Sequence, residues 1–443
     1  MQKPIWTALQ TEDTRVGVVG VGYVGLPLAC ALADARYRVI AYDTPERTAA
    51  LQSGEPRVIT TAAETLKRAL AQGRLHPTAD PQLLGDCRAI TICVPTPLGS
   101  GGQPDLRALR AATEVVAQHA RQATLIILES TSYPGTTREI LLPALSRRLG
   151  EVGRDFFCAF APERIDPGNP RFGLRQTPHL IGGVTQACTD LACMYYRRGV
   201  SPCHPVASPE IAEMAKLLEN AYRNVNIALI NELMQLCDHL QLNVDAVISA
   251  AATKPFGFAA FHPGPGVGGE CLPIDPRYLT WAARRAQRPL RMLEQAMDVN
   301  EAMPLYAAGK VVGALNAVGL PVRRSRVLLL GVTYKPNVPD TRQSPAEGIG
   351  ANLVEQGAEL LYHDPLVPQW RLGERTLQSQ PLTDALLLQA DLTVLVVAHQ
   401  GFDAQNLPAR ARRFLDLTHP GIVAAPAHET GSTPEGGLAC ASS

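Results

Sequence analysis

Arg15-Val16-Gly17-Val18-Val19-Gly20-Val21-Gly22-Tyr23-Val24-Gly25 is the stretch that decides the fold. Its apolar, β-branched opening reads as a strand buried on both faces. The strand runs straight into glycines at 20, 22 and 25, and an apolar helical segment follows. That spacing suits a tight turn, backbone N–H groups brought close to a pyrophosphate, and a helix packed hard on a strand. The next apolar run, Arg38-Val39-Ile40-Ala41-Tyr42, ends in Asp43. This is near the ~20-residue offset at which a carboxylate meets a ribose 2′-hydroxyl. An acid there repels a 2′-phosphate, so Gly20, Gly22, Tyr23, Val24, Gly25 and Asp43 are expected to bind NAD rather than NADP. Arg47 either reaches the adenosine phosphate or is simply solvated.

Outward from this turn the alternation continues. Ala89-Ile90-Thr91-Ile92-Cys93-Val94 and Thr124-Leu125-Ile126-Ile127-Leu128 are further buried strands, and alternating strands and helices imply parallel βαβ units. The pattern returns late, in Arg326 to Gly331, Glu359 to Tyr362 and Asp391 to Val397. Between about Ser208 and Leu320 helical periodicity replaces it. The expected fold is α/β: two doubly wound Rossmann-like domains joined by a central helical domain with a long bridging helix. The expected boundaries are 1–205 for the NAD-binding domain, 206–320 for the central domain and 321–423 for the second Rossmann-like domain. The stretch 424–443, rich in Pro, Gly, Ser, Thr and Ala, is expected to be a disordered tail.

Composition narrows the partners. In 443 residues, 41 Lys and Arg balance 41 Asp and Glu. Such a chain has no global field to draw in nucleic acid or a membrane surface, so an anionic ligand must be held by local cations and backbone N–H groups. No run approaches the ~20 apolar residues of a membrane span, and residues 1–15 carry no apolar signal-peptide core. Ten cysteines at irregular spacing, without a CxxC pair, read as buried thiols in a reducing compartment rather than disulfides or a metal site. The expectation is a cytoplasmic protein that holds no metal.

Three further segments carry chemistry. Pro263-Gly264-Pro265-Gly266-Val267-Gly268-Gly269-Glu270-Cys271-Leu272-Pro273-Ile274-Asp275-Pro276 sets one thiol after a run of glycines. A small, tightly folded backbone admits a ligand closely, and Asp275 could order water or act as a base. From the loop alone, a nucleophile and a rigidly packed structural cysteine both remain open. Glu210 to Leu240 reads as one long helix, with Met214, Leu217, Leu218, Ala221, Val225, Ala228, Leu229, Leu233 and Leu236 as its packed face. Lys216, Asn220 and Asn224 recur at i, i+4 and i+8, hence on one side. Asparagine is a poor helix former, and such a stripe suits a developing oxyanion unless it is only a wet face. The loops after strands, where open α/β sheets bind ligands, hold Pro95, Thr96, Thr131 and Glu163. In the second α/β set, Lys335 and Arg342 are the cations a diphosphate needs, or ordinary surface ion pairs.

Taken together, GVGYVGLP, VPTP, ESTSYPGTT, FAPERIDPGNP, KLLENAYRNVNIALINEL, PGPGVGGECLPIDP, GVTYKPNVPDTRQSPA and YHDP resemble the nucleotide-sugar 6-dehydrogenase family over roughly Val16 to Asp403. ATKPFGFAAFHPGPGVGG and YLTWAARR are most similar to the branch acting on UDP-N-acetylglucosamine. The resemblance implies a four-electron oxidation of a sugar C6 alcohol with NAD as acceptor. Cys271 would be the nucleophile, passing through a thiohemiacetal and a thioester to a uronic acid for surface polysaccharide. Lys216 and Asn220 would hold the oxyanion, Asp275 and Thr131 would handle water, and Glu163 would assist thioester hydrolysis. Pro95, Thr96, Thr131 and Arg342 would contact the cofactor. Glu163, Lys216, Asn220, Phe261, Gly264, Gly268 and Lys335 would contact the UDP-sugar. A homodimer or larger homo-oligomer through the central helix is implied as well. Two positions depart from the branch: Glu270 stands where histidine is usual, and Val397-Ala398-His399 lacks the aspartate often found before that histidine. The alternatives are UDP-glucose or UDP-N-acetylmannosamine as substrate, a two-electron hydroxy-acid dehydrogenase, or a non-catalytic protein that binds NAD and a sugar nucleotide.

Overall fold

A computed structural model describes residues 2–54, 63–99, 101–166, 168–169, 171–403 and 405–418. The expected tail, 424–443, lies outside the described residues. These residues form two compact units, Met1–Arg223 with Glu270–Glu294, and Asn224–Gly269 with Gln295–Ser443.

In the first unit, β1 (Arg15–Val19), β2 (Arg38–Tyr42), β3 (Leu75–Thr78), β4 (Ala89–Ile92), β5 (Leu125–Leu128), β6 (Phe157–Phe160), β7 (His179–Gly183) and β8 (Cys203–Val206) make one sheet. Its order is β3-β2-β1-β4-β5-β6-β7-β8. The first six strands are parallel, whereas β7 turns back antiparallel to β6 and pairs parallel with β8. β4, β5 and β6 are buried along their whole length, as their unbroken apolar runs require. The strand order reverses direction at β1/β4, the switch point where doubly wound sheets bind their ligands. The polar-looking N-terminus contributes a helix, Gln2–Gln10, that seats Ile5 and Leu9 in the core beside Tyr195 and Tyr196.

The second unit repeats the plan on a smaller scale. β9 (Arg326–Leu330), β10 (Glu359–His363), β13 (Leu392–Leu395) and β14 (Phe414–Asp416) form a parallel sheet in the order β10-β9-β13-β14, and β11 (Gln369–Leu372) and β12 (Arg375–Gln378) make a separate hairpin. Helices Val244–Ala251 and Arg291–Asn316 occupy the expected helical middle, together with Cys271–Arg285 and the long helix Pro209–Leu240.

The long helix corrects one expectation. Met214, Leu218, Leu229 and Leu236, assigned to its packed face, are exposed, Leu218 and Leu229 at 60%. Its buried face instead runs through Glu213, Lys216, Leu217, Asn220, Ala221, Asn224 and Asn231. The reason is that Glu213, Asn220 and Asn231 on this stripe find hydrogen-bond partners inside the protein, whereas the exposed leucines face away from the core of the described residues.

Candidate active site

Three glycines shape the first turn for different reasons. A Cβ on Gly25 would lie 1.9 Å from the Gly20 carbonyl oxygen, and one on Gly20, which sits at φ +88°, would lie 2.8 Å from the Cys93 carbonyl oxygen. Those two lock helix to strand. At Gly22 a Cβ would meet nothing within 4 Å, which leaves an open backbone face at the helix start where a pyrophosphate can approach. The carboxylate of Asp43 accepts the Val21 N–H and the Thr44 N–H, each at 2.7 Å, and has Arg47 at 3.9 Å. Turn and acid are therefore joined into one ready-made cradle. Open space at Gly22 and the acid beside it fit an adenine dinucleotide lacking a 2′-phosphate.

The cysteine emerges from a helix rather than a loop. Cys271 is the first residue of Cys271–Arg285, with Glu270 at the N-cap, a position where the helix dipole favours an anion. Among the nine cysteines described it is the exposed one; Cys203 is half-buried and the other seven are buried. Protein packed densely around this accessible residue, with the Asp275 and Glu270 carboxylates, pushes its thiol up to about 11, while the Lys216 and Arg223 cations pull it down. Asp275 lies one turn along the same helix, buried, accepting a 2.5 Å hydrogen bond from the Asn220 carboxamide. Burial lifts its carboxyl to about 6 against the pull of Lys216 and Asn220. Lys216, Asn220, Asp275 and Cys271 thus form one electrostatically coupled group.

This helix is tied to the carboxyl ends of the parallel strands. The Tyr278 hydroxyl donates to the Thr96 carbonyl at 2.8 Å, and the Thr96 hydroxyl donates to the Thr131 carbonyl at 2.7 Å. Pro95, Thr96 and Thr131 therefore sit in loops braced against the cysteine helix. Glu213 fastens the next segment: its carboxylate accepts the Thr137 N–H and hydroxyl and the Gly135 N–H, at the start of the π-helical turn Thr137–Leu141. After β6, Glu163 folds its carboxylate onto the N–H groups of Arg164 and Ile165, both at 2.6 Å, and Arg164 pairs with Glu219 of the long helix at 2.7 Å. Burial raises the Glu163 carboxyl, and His179 opposes that rise.

Sequence reasoning passed over Glu213, although it continues the Lys216–Asn220–Asn224 stripe one turn earlier. It also gave no role to Tyr278, Glu129 or His179, which lack any local signal because their partners are distant in the chain.

The second unit repeats the cradle. Gly331, at φ +80°, follows β9 as Gly20 follows β1, and a Cβ there would lie 2.3 Å from the Val397 carbonyl oxygen. Asp364, just after β10, accepts the Val332 N–H at 2.7 Å, as Asp43 accepts Val21. His399 accepts the Asn337 N–H on Nδ1, which leaves Nε2–H to face Asp364 at 3.1 Å. That pins the loop carrying Lys335, whose carbonyl accepts the Thr333 hydroxyl. Arg342 forks onto Asp340, with Nη2 at 2.7 Å from Oδ2. Asn231 holds the Gly264 N–H at 3.0 Å, and Phe261 packs beside Ile230 and Met234. The glycines nearest the cysteine are demanded by packing: Cβ atoms on Gly268 and Gly269 would lie 2.7 and 2.8 Å from the Tyr334 side chain. At Gly264, by contrast, a Cβ would meet nothing within 4 Å, so the ligand access expected of this loop and the demands of packing fall on different glycines.

A doubly wound sheet with a dinucleotide turn, a second nucleotide-type cradle and an exposed cysteine among Lys, Asn and Asp define an NAD-dependent oxidoreductase of nucleotide sugars. Comparison with known proteins gives the family. The chain matches the UDP-glucose/GDP-mannose dehydrogenase family in its NAD binding domain (residues 14–199), central domain (210–302) and UDP binding domain (328–423). It belongs to that family of nucleotide-sugar 6-dehydrogenases and is an NAD-dependent UDP-sugar dehydrogenase. It is 34% identical over 397 residues to the UDP-N-acetyl-D-glucosamine 6-dehydrogenase of Pseudomonas aeruginosa, covering 88% of this chain and 92% of that one. It is 37% identical over 356 residues to the UDP-N-acetyl-D-mannosamine dehydrogenase of Pyrococcus horikoshii, covering 80% and 84%. A solved structure of UDP-D-ManNAc dehydrogenase from that organism superposes with a TM-score of 0.84 at 33% identity, over 94% of this chain and 97% of the other. No helix among the described residues is long and apolar enough to cross a membrane.

Proposed function

We propose that the protein oxidises the C6 alcohol of UDP-N-acetylglucosamine to the uronic acid in two steps at one site. The observation that carries this reading is the accessible Cys271 at a helix N-terminus, electrostatically coupled to Lys216 and Asp275 on a helix braced against the dinucleotide half. NAD, held by the turn Gly20–Gly25 and by Asp43 with Pro95, Thr96, Thr131 and Arg342 alongside, supplies the hydride acceptor. The rest is the chain's own work. Asp275, ionised above about pH 6, receives through water the proton that the alcohol or the thiol gives up. The Cys271 sulfur adds to the C6 aldehyde carbon, and the resulting oxyanion is met by the Lys216 ammonium and the second Asn220 N–H. The covalent bond keeps the half-oxidised sugar from diffusing away. After the second oxidation a water attacks the thioester carbonyl and gives its proton to Glu163. The C–S bond breaks, and the sulfur leaves as thiolate.

Residues 1–205 serve as the NAD-binding domain, 206–320 as the central domain with the cysteine, and 321–423 as the UDP-sugar domain, where Lys335 meets the diphosphate. Phe261, Gly264 and Gly268 line the sugar's side. The protein works in the cytoplasm, feeds surface-polysaccharide synthesis, and forms a homo-oligomer that covers the exposed apolar face of the long helix. UDP-N-acetylmannosamine is the second reading, since relatives of similar identity bear that name. Incubating the enzyme with UDP-sugars and NAD should release two NADH per uronate. Cys271→Ala should make none while its NAD affinity is unchanged. Uronate from that variant, or one NADH per turnover, would overturn the mechanism.

A further inference from the structure

β7 is where the first sheet reverses direction, and the reversal has a chemical result. Ala159 pairs with Gly183 and Phe160 with Gly182. Beyond these pairs the two segments lead to Glu163 and His179, whose charges act on each other. The Arg164 guanidinium, donating to the Pro178 carbonyl at 2.7 Å, fastens the two segments at the neighbouring step. Glu163 and His179 are the residues next to that tie, one on each segment.

His179 is buried, with its ring stacked on Tyr196 at 4.7 Å. Its Nδ1 is 2.8 Å from the Ser201 hydroxyl and its Nε2 is 3.4 Å from a carboxylate oxygen of Glu129. Glu129 is buried as well, accepting from the Tyr196 hydroxyl at 2.6 Å and the Cys93 thiol at 3.2 Å. An enclosed carboxylate with only neutral donors favours a charged imidazole beside it. Against burial and Arg164, which lower it, Glu129 and Glu163 raise His179; His179 in turn offsets part of the rise that burial and the Glu129 charge impose on Glu163. Glu129 also opens the loop that carries Thr131, so one imidazole links both segments assigned to water handling.

We infer that His179 is a positioning residue for thioester hydrolysis: backed by Glu129, it keeps Glu163 ionised and in place as the base that takes the proton of the attacking water. The inference rests on the reading of Glu163 as that base. It calls for no added oxidant or co-reactant, because it concerns only the hydrolytic step.

Rapid mixing of the full-length enzyme with NAD separates the two halves of the reaction. The substrate is whichever of UDP-N-acetylglucosamine, UDP-N-acetylgalactosamine, UDP-N-acetylmannosamine or UDP-glucose is turned over fastest. NADH formed before hydrolysis appears as a burst, and the steady state follows. His179→Gln should keep the burst rate and KM while the steady rate falls about tenfold or more, within what a displaced general base costs. A thioester adduct on Cys271 should then accumulate in the intact mass. Glu163→Gln should trap the same adduct, and Glu129→Gln should reproduce the His179→Gln pattern and decide the matter if His179→Gln does not fold. In the unaltered enzyme, nitrogen-15 histidine spectra should show His179 as imidazolium near neutral pH; a neutral ring overturns the inference whatever the variants do. Failure of Glu163→Gln to trap an adduct refutes the reading of Glu163 and this inference with it. If Glu163→Gln traps it while the His179 and Glu129 variants lose burst and steady state equally, or lose neither, the role of His179 alone is refuted.

Discussion

Cys271 must become a thiolate from surroundings that hold it protonated. Its pKa of about 11 reflects dense packing first and then two carboxylates, one of them Glu270 next to it in the chain. A carboxylate favours the neutral thiol, so removing its charge must lower the pKa. Glu270→Gln is therefore expected to shift the rise of alkylation rate with pH towards neutrality, measured with iodoacetamide across a pH series; an unmoved or higher midpoint would exclude Glu270 as a tuning group. Asp43 tests the other end of the site. Its carboxylate is the feature that repels a 2′-phosphate, so Asp43→Ala should narrow the preference for NAD over NADP, read as the ratio of the two kcat/KM values. An unchanged ratio counts against that role. The gathering of Lys216, Asn220 and Asp275 near Cys271 was half-legible in sequence. The helix-periodic stripe and the i, i+4 step from Cys271 to Asp275 are local patterns. That the two groups face each other is not a local property, and neither is the tether from Tyr278 to Thr96.

At the scale of elements, β1 and β2 could be read to the residue, because a strand covered on both faces is an unbroken apolar run flanked by turn-forming residues. β8, Cys-His-Pro-Val, and the hairpin strands β11 and β12 escaped notice since they lie at edges, half-wet, without such a run. The long helix was legible in extent but not in orientation. Apolar residues were assumed to point inward, yet Leu218, Tyr222, Leu229 and Leu236 face out while Glu213, Asn220 and Asn231 are enclosed. These exposed side chains are where the proposed homo-oligomer would pack. Leu218→Glu combined with Leu229→Glu should lower the mass found by light scattering and leave the helical circular dichroism intact. Loss of the fold, or an unchanged mass, would argue against a self-association face.

Across the whole molecule, one recipe is used twice: a glycine at positive φ ends a central strand, and an aspartate after the neighbouring strand accepts the amide that follows the glycine. Only the first copy carries the three-glycine turn, which is why the second was expected from its strands alone. Asp364 satisfies the Val332 and Leu366 N–H groups and faces His399. Asp364→Ala should cost about 1–3 kcal/mol for each buried donor left unsatisfied, seen as a lower thermal midpoint, with NAD affinity unchanged. A shift in NAD affinity would show that the cradles are not separate. The unequal exposure of the cysteines has a practical side. With Cys440 replaced by serine, a bulky maleimide dye should label Cys271 far faster than the buried cysteines. The fast-labelled fraction would then count competent enzyme molecules in a preparation before any sugar is added.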